Sequence, residues 1–148
     1  MSLDRHESAG YLTNWAARLF ARAIDRRLKP LRLSSGYLPV FFALAGGNAL
    51  TQKQLARAAS IEQPTMAATL SRMERDGLIE RTPDPRDKRA SLISLAPSAR
   101  DKLEEVVAAT RAVNNDALSN LSSDEAEAYF GALKKIIGSL ERAAGEKG

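Results

Sequence analysis

The chain has 148 residues, 44% of them hydrophobic and 27% charged, with no cysteine and a single histidine, His6. That length fits one domain, and the absence of cysteine excludes disulfides, thiolate nucleophiles, cysteine-ligated zinc and thiol-based redox sensing. One histidine leaves little for a metal site, so neither metal nor cofactor is expected, and His6 reads as an exposed terminal residue without a role. No uncharged apolar run is long enough to cross a membrane, and the opening MSLDRHESAG has no apolar stretch of a signal peptide, so the cytoplasm is the expected compartment. Net charge is +4 over residues 1–50, +3 over 51–100 and −3 over 101–148, which concentrates basic charge in the first two thirds and suits a polyanionic partner.

Between Ser8 and Lys29 the residues Tyr11, Leu12, Trp15, Ala16, Leu19, Phe20, Ala23, Ile24 and Leu28 recur at helical spacing, with Arg18, Arg22, Asp25, Arg26 and Lys29 on the opposite, solvated side; Pro30 ends this helix. Ser34 or Ser35 is placed to cap a second helix. Tyr37 to Ala45 is apolar all round and is expected to be buried on every side, with Pro39 in its first turn. Thr51 and Gln54 have the spacing of a capping box for a short helix from Gln52. A second helix from Gln63 carries Met66, Leu70 and Met73 on one stripe, has Pro64 in its first turn, and stops at Gly77.

Residues 78–82 and 91–95 read as two short strands joined by the polar, proline-containing segment 83–90. A long helix is expected from Pro97 through Leu118. Ser122 and Glu125 then form a second capping box, and a last helix carries Phe130, Leu133, Ile136, Ile137 and Leu140.

Two short helices, a tight turn between them and a hairpin with a basic tip make a winged helix-turn-helix, whose second helix fits the major groove of double-stranded DNA. The fold class expected is mainly α with a small β-hairpin wing. Gln63, Thr65 and Thr69 supply the small or hydrogen-bonding side chains that base edges require, and Arg72 is placed to reach guanine or phosphate. Thr51, Gln52 and Pro64 complete the helix-turn-helix candidates. Met66 reads as core, although it stands early enough in the helix to approach the groove. Arg86, Asp87, Lys88 and Arg89 form the tip, whose cations suit phosphates and a narrow minor groove.

The segment from Leu50 to Leu95 resembles the core of the MarR family of bacterial transcriptional regulators. Its most specific parts are Leu50-Thr51-Gln52-x-x-Leu55-Ala56, the run Gln63-Pro64-Thr65 opening a helix that ends Gly77-Leu78-Ile79-Glu80-Arg81, and Asp87-x-Arg89. The resemblance implies that Arg89 enters the minor groove with Asp87 as its buttress. It also implies one domain over 1–148, in which helices at 8–30 and 97–144 of two chains interleave into a homodimer and 34–95 forms the DNA-binding lobe. Trp15, Leu19, Phe130, Leu133, Ile136, Ile137 and Leu140 are the interface candidates. The aromatic residues Tyr11, Trp15, Phe20, Tyr37, Phe41 and Phe42 read from sequence as core and dimer packing. The resemblance implies instead a small aromatic effector between the dimer helices and the DNA-binding lobe, with Tyr11, Trp15, Arg18, Tyr37 and Phe41 as candidates. One departure is Leu95-Ala96-Pro97-Ser98-Ala99, where the family has Leu-Thr-x-x-Gly; it removes a threonine cap worth about 1 kcal/mol.

An enzyme is set aside: Glu104 and Glu105 are adjacent on a helix and point apart, and no phosphate-cradling glycine loop, metal spacing or nucleophile elbow occurs. An adaptor that uses the winged helix for protein contact would carry an acidic or apolar tip. The expectation is therefore a sequence-specific, homodimeric repressor of a pseudo-palindromic operator, released by a small aromatic or phenolic ligand. A ligand-independent architectural DNA-binding protein is the alternative.

Overall fold

A computed structural model describes residues 3–145, so the ends of the expected domain, 1–2 and 146–148, lie outside it. The chain divides into two compact units, residues 1–111 and 112–148.

In the first unit, helix α1 spans Ala9–Leu28, and the Ser8 Oγ accepts from the Tyr11 backbone N–H at 3.2 Å to cap its first turn. Ile24 and Leu28 are its buried residues, whereas Tyr11, Leu12 and Leu19 are exposed. At 3.6 residues per turn these three share a broad face with Arg18, Arg22 and Arg26. The arginines are therefore not opposite all of the apolar residues, as the spacing suggested. Pro30 lies in a 3-10 turn, Lys29–Leu31, and Arg32 reverses the chain in the left-handed conformation at φ 58°.

A second 3-10 turn, Ser35–Tyr37, is capped by the Ser34 hydroxyl and leads into helix α2, Leu38–Leu44, with Pro39 in its first turn. Val40, Phe41 and Leu44 of α2 are buried, but Phe42 is 73% exposed. The expected burial on every side fails because a helix places residues 40, 41 and 44 on one face and 42 on the other, and only one face meets α3 and the hairpin.

Helix α3, Gln52–Ala59, opens on the capping box: Gln54 N–H donates to Thr51 Oγ1 at 3.2 Å, and Thr51 N–H donates to Gln54 Oε1 at 2.9 Å. Ser60 ends it in the left-handed region at φ 53°. After Ile61 and Glu62 comes helix α4, Gln63–Arg75, with Pro64 in its first turn, where the missing N–H is not needed. Gly77 at φ 72° stops α4 and lets Leu78 N–H donate to the Met73 carbonyl at 2.8 Å. Leu55, Met66, Leu70 and Met73 have no exposed surface, so α3 and α4 share one core.

Strands β1, Ile79–Asp84, and β2, Asp87–Leu95, pair antiparallel, with Ile79 opposite Leu95 and Pro83 opposite Ser91. They run further than expected. Pairing resumes at Asp84 opposite Asp87 after a register shift, so only Pro85 and Arg86 lie between the strands. Leu50 exchanges both backbone hydrogen bonds with Ile93, at 3.0 and 2.7 Å, which pins the entry to α3 against the hairpin.

The long helix expected from Pro97 is interrupted. A single turn, α5, Pro97–Arg100, is followed by Asp101 and Lys102 in a turn before α6, Leu103–Leu118. Ala96, at the cap position, has no side-chain oxygen to hold the start, and Lys102 Nζ reaches away to the Leu31 carbonyl at 3.0 Å. Ser98 Oγ donates to the Gly77 carbonyl at 2.6 Å, tying this turn to the end of α4.

In the second unit, helix α7, Ser123–Ala143, begins with the Ser122–Glu125 capping box. The backbone and hydroxyl of Ser122 hold the Glu125 carboxyl below its usual range. No residue of α7 is buried, although Phe130, Ile136, Ile137 and Leu140 lie along one helical face.

Candidate nucleic-acid interface

The outward face of α4 follows from what its inward face must bury. Met66, Thr69, Leu70 and Met73 point into the core, Met66 with no exposed surface and Thr69 with 6%. For Met66 this is the core position its stripe implies, with no approach to the groove; for Thr69 it is a correction, because a helix carries one core-facing stripe and Thr69 lies on it. Gln63, Pro64, Thr65 and Arg72 are exposed. Ala68, Ser71 and Arg75 are exposed too and fall in the row that starts at Pro64 and Thr65. None of the three stands out by residue type in the sequence, since Ala68 has no polar group and Ser71 and Arg75 lie beyond the first turn. The i, i+4, i+7 arithmetic from Pro64 finds the small pair, Ala68 and Ser71. Thr51 and Gln52 are half-buried, with the Thr51 hydroxyl occupied by its cap.

The hairpin is tied to α4 by Arg81 Nε, which donates to Glu74 Oε2 at 2.9 Å. At its tip, Asp84 Oδ1 accepts from Arg86 N–H and Asp87 Oδ1 from Arg89 N–H, both at 2.9 Å. These Asx turns fold the tip without using any cationic side chain. Arg86, Asp87, Lys88 and Arg89 are all exposed. The Arg89 side chain is 95% exposed, and its Nε lies 3.8 Å from Asp87 Oδ1, a loose ion pair that leaves the guanidinium forward.

At the far end of α4, the Tyr37 hydroxyl donates to Asp76 Oδ2 at 2.8 Å. Burial pushes the phenol up from its ordinary value; the hydrogen bond to Asp76 and the carboxylate's charge add to this, while Arg72 and Arg75 oppose it. Phe41 is buried as well. The effector candidates thus differ in their access to solvent. Tyr37 and Phe41 are core, and Arg18 is exposed. Tyr11 meets Trp15 edge-on at 6.4 Å between ring centroids, with the Arg5 guanidinium 5.3 Å from the Trp15 centroid. His6 lies 6.2 Å from the same ring, so it has a neighbour the sequence did not suggest. A shallow pocket there is lined by Leu3, Asp4, Arg5, His6, Ser8 and Tyr11. Of the interface candidates, Leu19, Phe130, Ile136, Ile137 and Leu140 are exposed and Trp15 and Leu133 half-buried.

No cluster of three metal-ligating side chains occurs among the described residues, and no helix among them is long and apolar enough to cross a membrane.

Comparison with known proteins places this architecture. Residues 33–90 match the model of the MarR family. The HTH-type transcriptional regulator YwoH of Bacillus subtilis is 29% identical over 116 residues, 78% of this chain and 84% of that protein. Among solved structures, the transcriptional regulator PA3341 is 32% identical, with a TM-score of 0.77 covering 91% of this chain and 99% of that one. The MepR–DNA complex of S. aureus is 26% identical, with a TM-score of 0.80 covering 90% and 98%. Family and fold are those of non-enzymatic transcriptional regulators. With the helix-turn-helix, the wing and the flanking helices all matched, the chain belongs to the MarR family and is a winged-helix transcriptional regulator.

Proposed function

We propose that this regulator is a cytoplasmic homodimer that binds a pseudo-palindromic operator in double-stranded DNA and represses from it until a small aromatic or phenolic ligand releases it. The observation that carries the DNA reading is the pairing of an exposed, uncharged first turn on α4, Gln63-Pro64-Thr65, with a hairpin tip whose cations are not used to build the tip. The first feature suits base edges and the second suits phosphates and the minor groove. That MepR is solved as a DNA complex supports the same use of a like fold. A dimer seated on an operator blocks access to it, which is why repression is the sign proposed.

The homodimer is supported by the uncovered apolar stripe of α7 and, separately, by the exposed Leu12 and Leu19 on α1, since exposed apolar rows mark surfaces that a partner covers. For the effector, Tyr11, Trp15 and Arg18 are the candidates that keep solvent access, whereas Tyr37 and Phe41 would have to be uncovered first. Release requires a ligand that favours the released conformation by about 1 to 3 kcal/mol, a 5- to 150-fold change in affinity.

Selection of bound duplexes from random DNA, repeated with a panel of phenolic acids, tests the proposal. Enrichment of inverted half-sites centred about 10 base pairs, or a multiple, apart is expected, with loss of binding in at least one acid. A specific-to-nonspecific affinity ratio near one would instead make the chain the ligand-independent architectural protein.

A further inference from the structure

Asp25 is the only acidic residue in α1, and its Oδ1 accepts the backbone N–H of Ser35 at 2.7 Å. Ser35 opens the 3-10 turn that closes on Tyr37. That turn is stiffened by Ser34, whose Oγ accepts Gly36 N–H at 3.2 Å, and by Pro39 two residues beyond Tyr37. Tyr37 is 7% exposed, and it donates at 2.8 Å to Asp76, the residue that caps the C-terminal end of α4. The other Asp76 oxygen faces Arg75 Nε at 3.7 Å. A phenylalanine would fill the same volume at position 37, so the hydroxyl serves the bond rather than the packing.

We infer that Asp25 and Tyr37 are positioning residues for α4: the hydrogen-bonded line Asp25–Ser35, Tyr37–Asp76 sets the pitch of α4 against α1, and through it a change at α1 reaches the end of α4 that carries Gln63 and Thr65. The inference rests on the DNA reading given above. Its physical basis is leverage. A helix of 13 residues is a rod about 20 Å long, so a tilt of about 5° at the Asp76 end moves the far end by about 2 Å. Direct hydrogen bonds to base edges tolerate only a few tenths of an ångström, whereas attraction to phosphates decays over about 10 Å. Loss of the line therefore lowers discrimination between duplexes and leaves nonspecific affinity nearly unchanged, an outcome that general loosening of the fold would not give.

The test uses the full chain and its selected duplex. Tyr37→Phe and Asp76→Ala are each expected to lower the ratio of specific to nonspecific affinity by about five- to tenfold, with the double variant no worse than either single one. Asp76→Asn, which keeps an acceptor oxygen, is expected to retain most of the ratio. Additive losses, an unchanged ratio, or an equal loss on random DNA would overturn the inference. Amide hydrogen exchange gives a reading that does not depend on DNA. Asp25→Ala and Tyr37→Phe should both speed exchange at Asp76, Gly77 and Leu78 while leaving α3 unchanged, and unaltered exchange at those three would overturn the inference. If the unsubstituted chain discriminates no sequence, the proposed function falls by itself, and the exchange pattern still decides whether the line exists.

Discussion

The hydroxyl of Tyr37 and the carboxylate of Asp76 meet at 2.8 Å across 39 positions of sequence, joining the turn before α2 to the end of α4. Because the phenol is raised above 10.0, the folded chain holds this proton more tightly than the unfolded chain does. The stabilisation is fully present below the unfolded value and is lost as pH climbs through about 10 toward the folded value. Tyr37→Phe should cost about 1 kcal/mol at neutral pH, since the freed carboxylate is partly solvated. The gap to the unsubstituted chain should narrow above pH 10. Chemical denaturation of both chains from pH 7 to 11 checks this, and a gap that widened with pH would contradict the sign.

A second prediction separates the two faces of α4. Thr65→Ala and Gln63→Ala remove exposed groups, so stability should stay within about 0.5 kcal/mol while discrimination at a contacted base pair falls by about 1 to 3 kcal/mol. Met66→Ala, one residue further along, should instead cost about 2 to 5 kcal/mol of stability through the cavity it leaves. Denaturation midpoints together with binding to single-base variants of the selected duplex give both readings. A Met66 variant that folded normally but lost base preference would return that residue to the groove.

The same helix shows how much of the site was legible in sequence. The capping boxes at Thr51 and Ser122, the stop at Gly77 and the buried stripe Leu70–Met73 each depend on a few neighbouring residues, and each is found where spacing put it. What residue type alone suggested for Thr69 failed, because a threonine that suits a base edge also fits a core, and the helical angle decides between them. Around α5 only the missing threonine cap at Ala96 was legible; the bond from Lys102 to Leu31, 71 positions away, was not, and neither was the extension of the strand pairing to Asp84 and Asp87, which residue type in a polar, proline-containing segment does not suggest. The apolar stripe of α7 was legible as a face that a single chain leaves uncovered, and it is exposed; Phe42 was legible as apolar but not as exposed.

That exposure yields a third prediction. Leu140 is 65% exposed in the single chain, so Leu140→Glu should leave a single chain's stability within about 0.5 kcal/mol. In a dimer that covers α7, the same change buries a charge and should shift the assembly strongly toward monomer. Sedimentation equilibrium at micromolar concentration distinguishes the cases: a dimer for the unsubstituted chain and mostly monomer for the variant is expected. A stable monomer for both would remove the proposed interface.

The fourth prediction concerns the wing, where the Arg89 guanidinium projects into solvent beside an aspartate that holds its backbone. A cation placed on phosphates or in a narrow minor groove releases about one counterion on binding. Arg89→Ala should therefore weaken binding to many sequences alike and reduce the magnitude of the slope of log affinity against log salt by about 1. The preferred bases read by α4 should not change, since Arg81 and Glu74 keep the hairpin fastened to the helix. Asp87→Ala should cause a smaller loss. Its carboxylate accepts the Arg89 N–H, so without it the tip is less ordered, but the positive charge remains and needs ordering only on binding, at a side-chain entropy cost of up to about 2 kcal/mol. The salt slope of Asp87→Ala should then stay close to that of the unsubstituted chain, or rise slightly as a repelling carboxylate is removed. Titrations of both variants at three or more salt concentrations, against the selected duplex and a random one, decide the matter. Full affinity and an unchanged slope in Arg89→Ala would reduce the wing to a solvated hairpin and leave recognition to α4 alone.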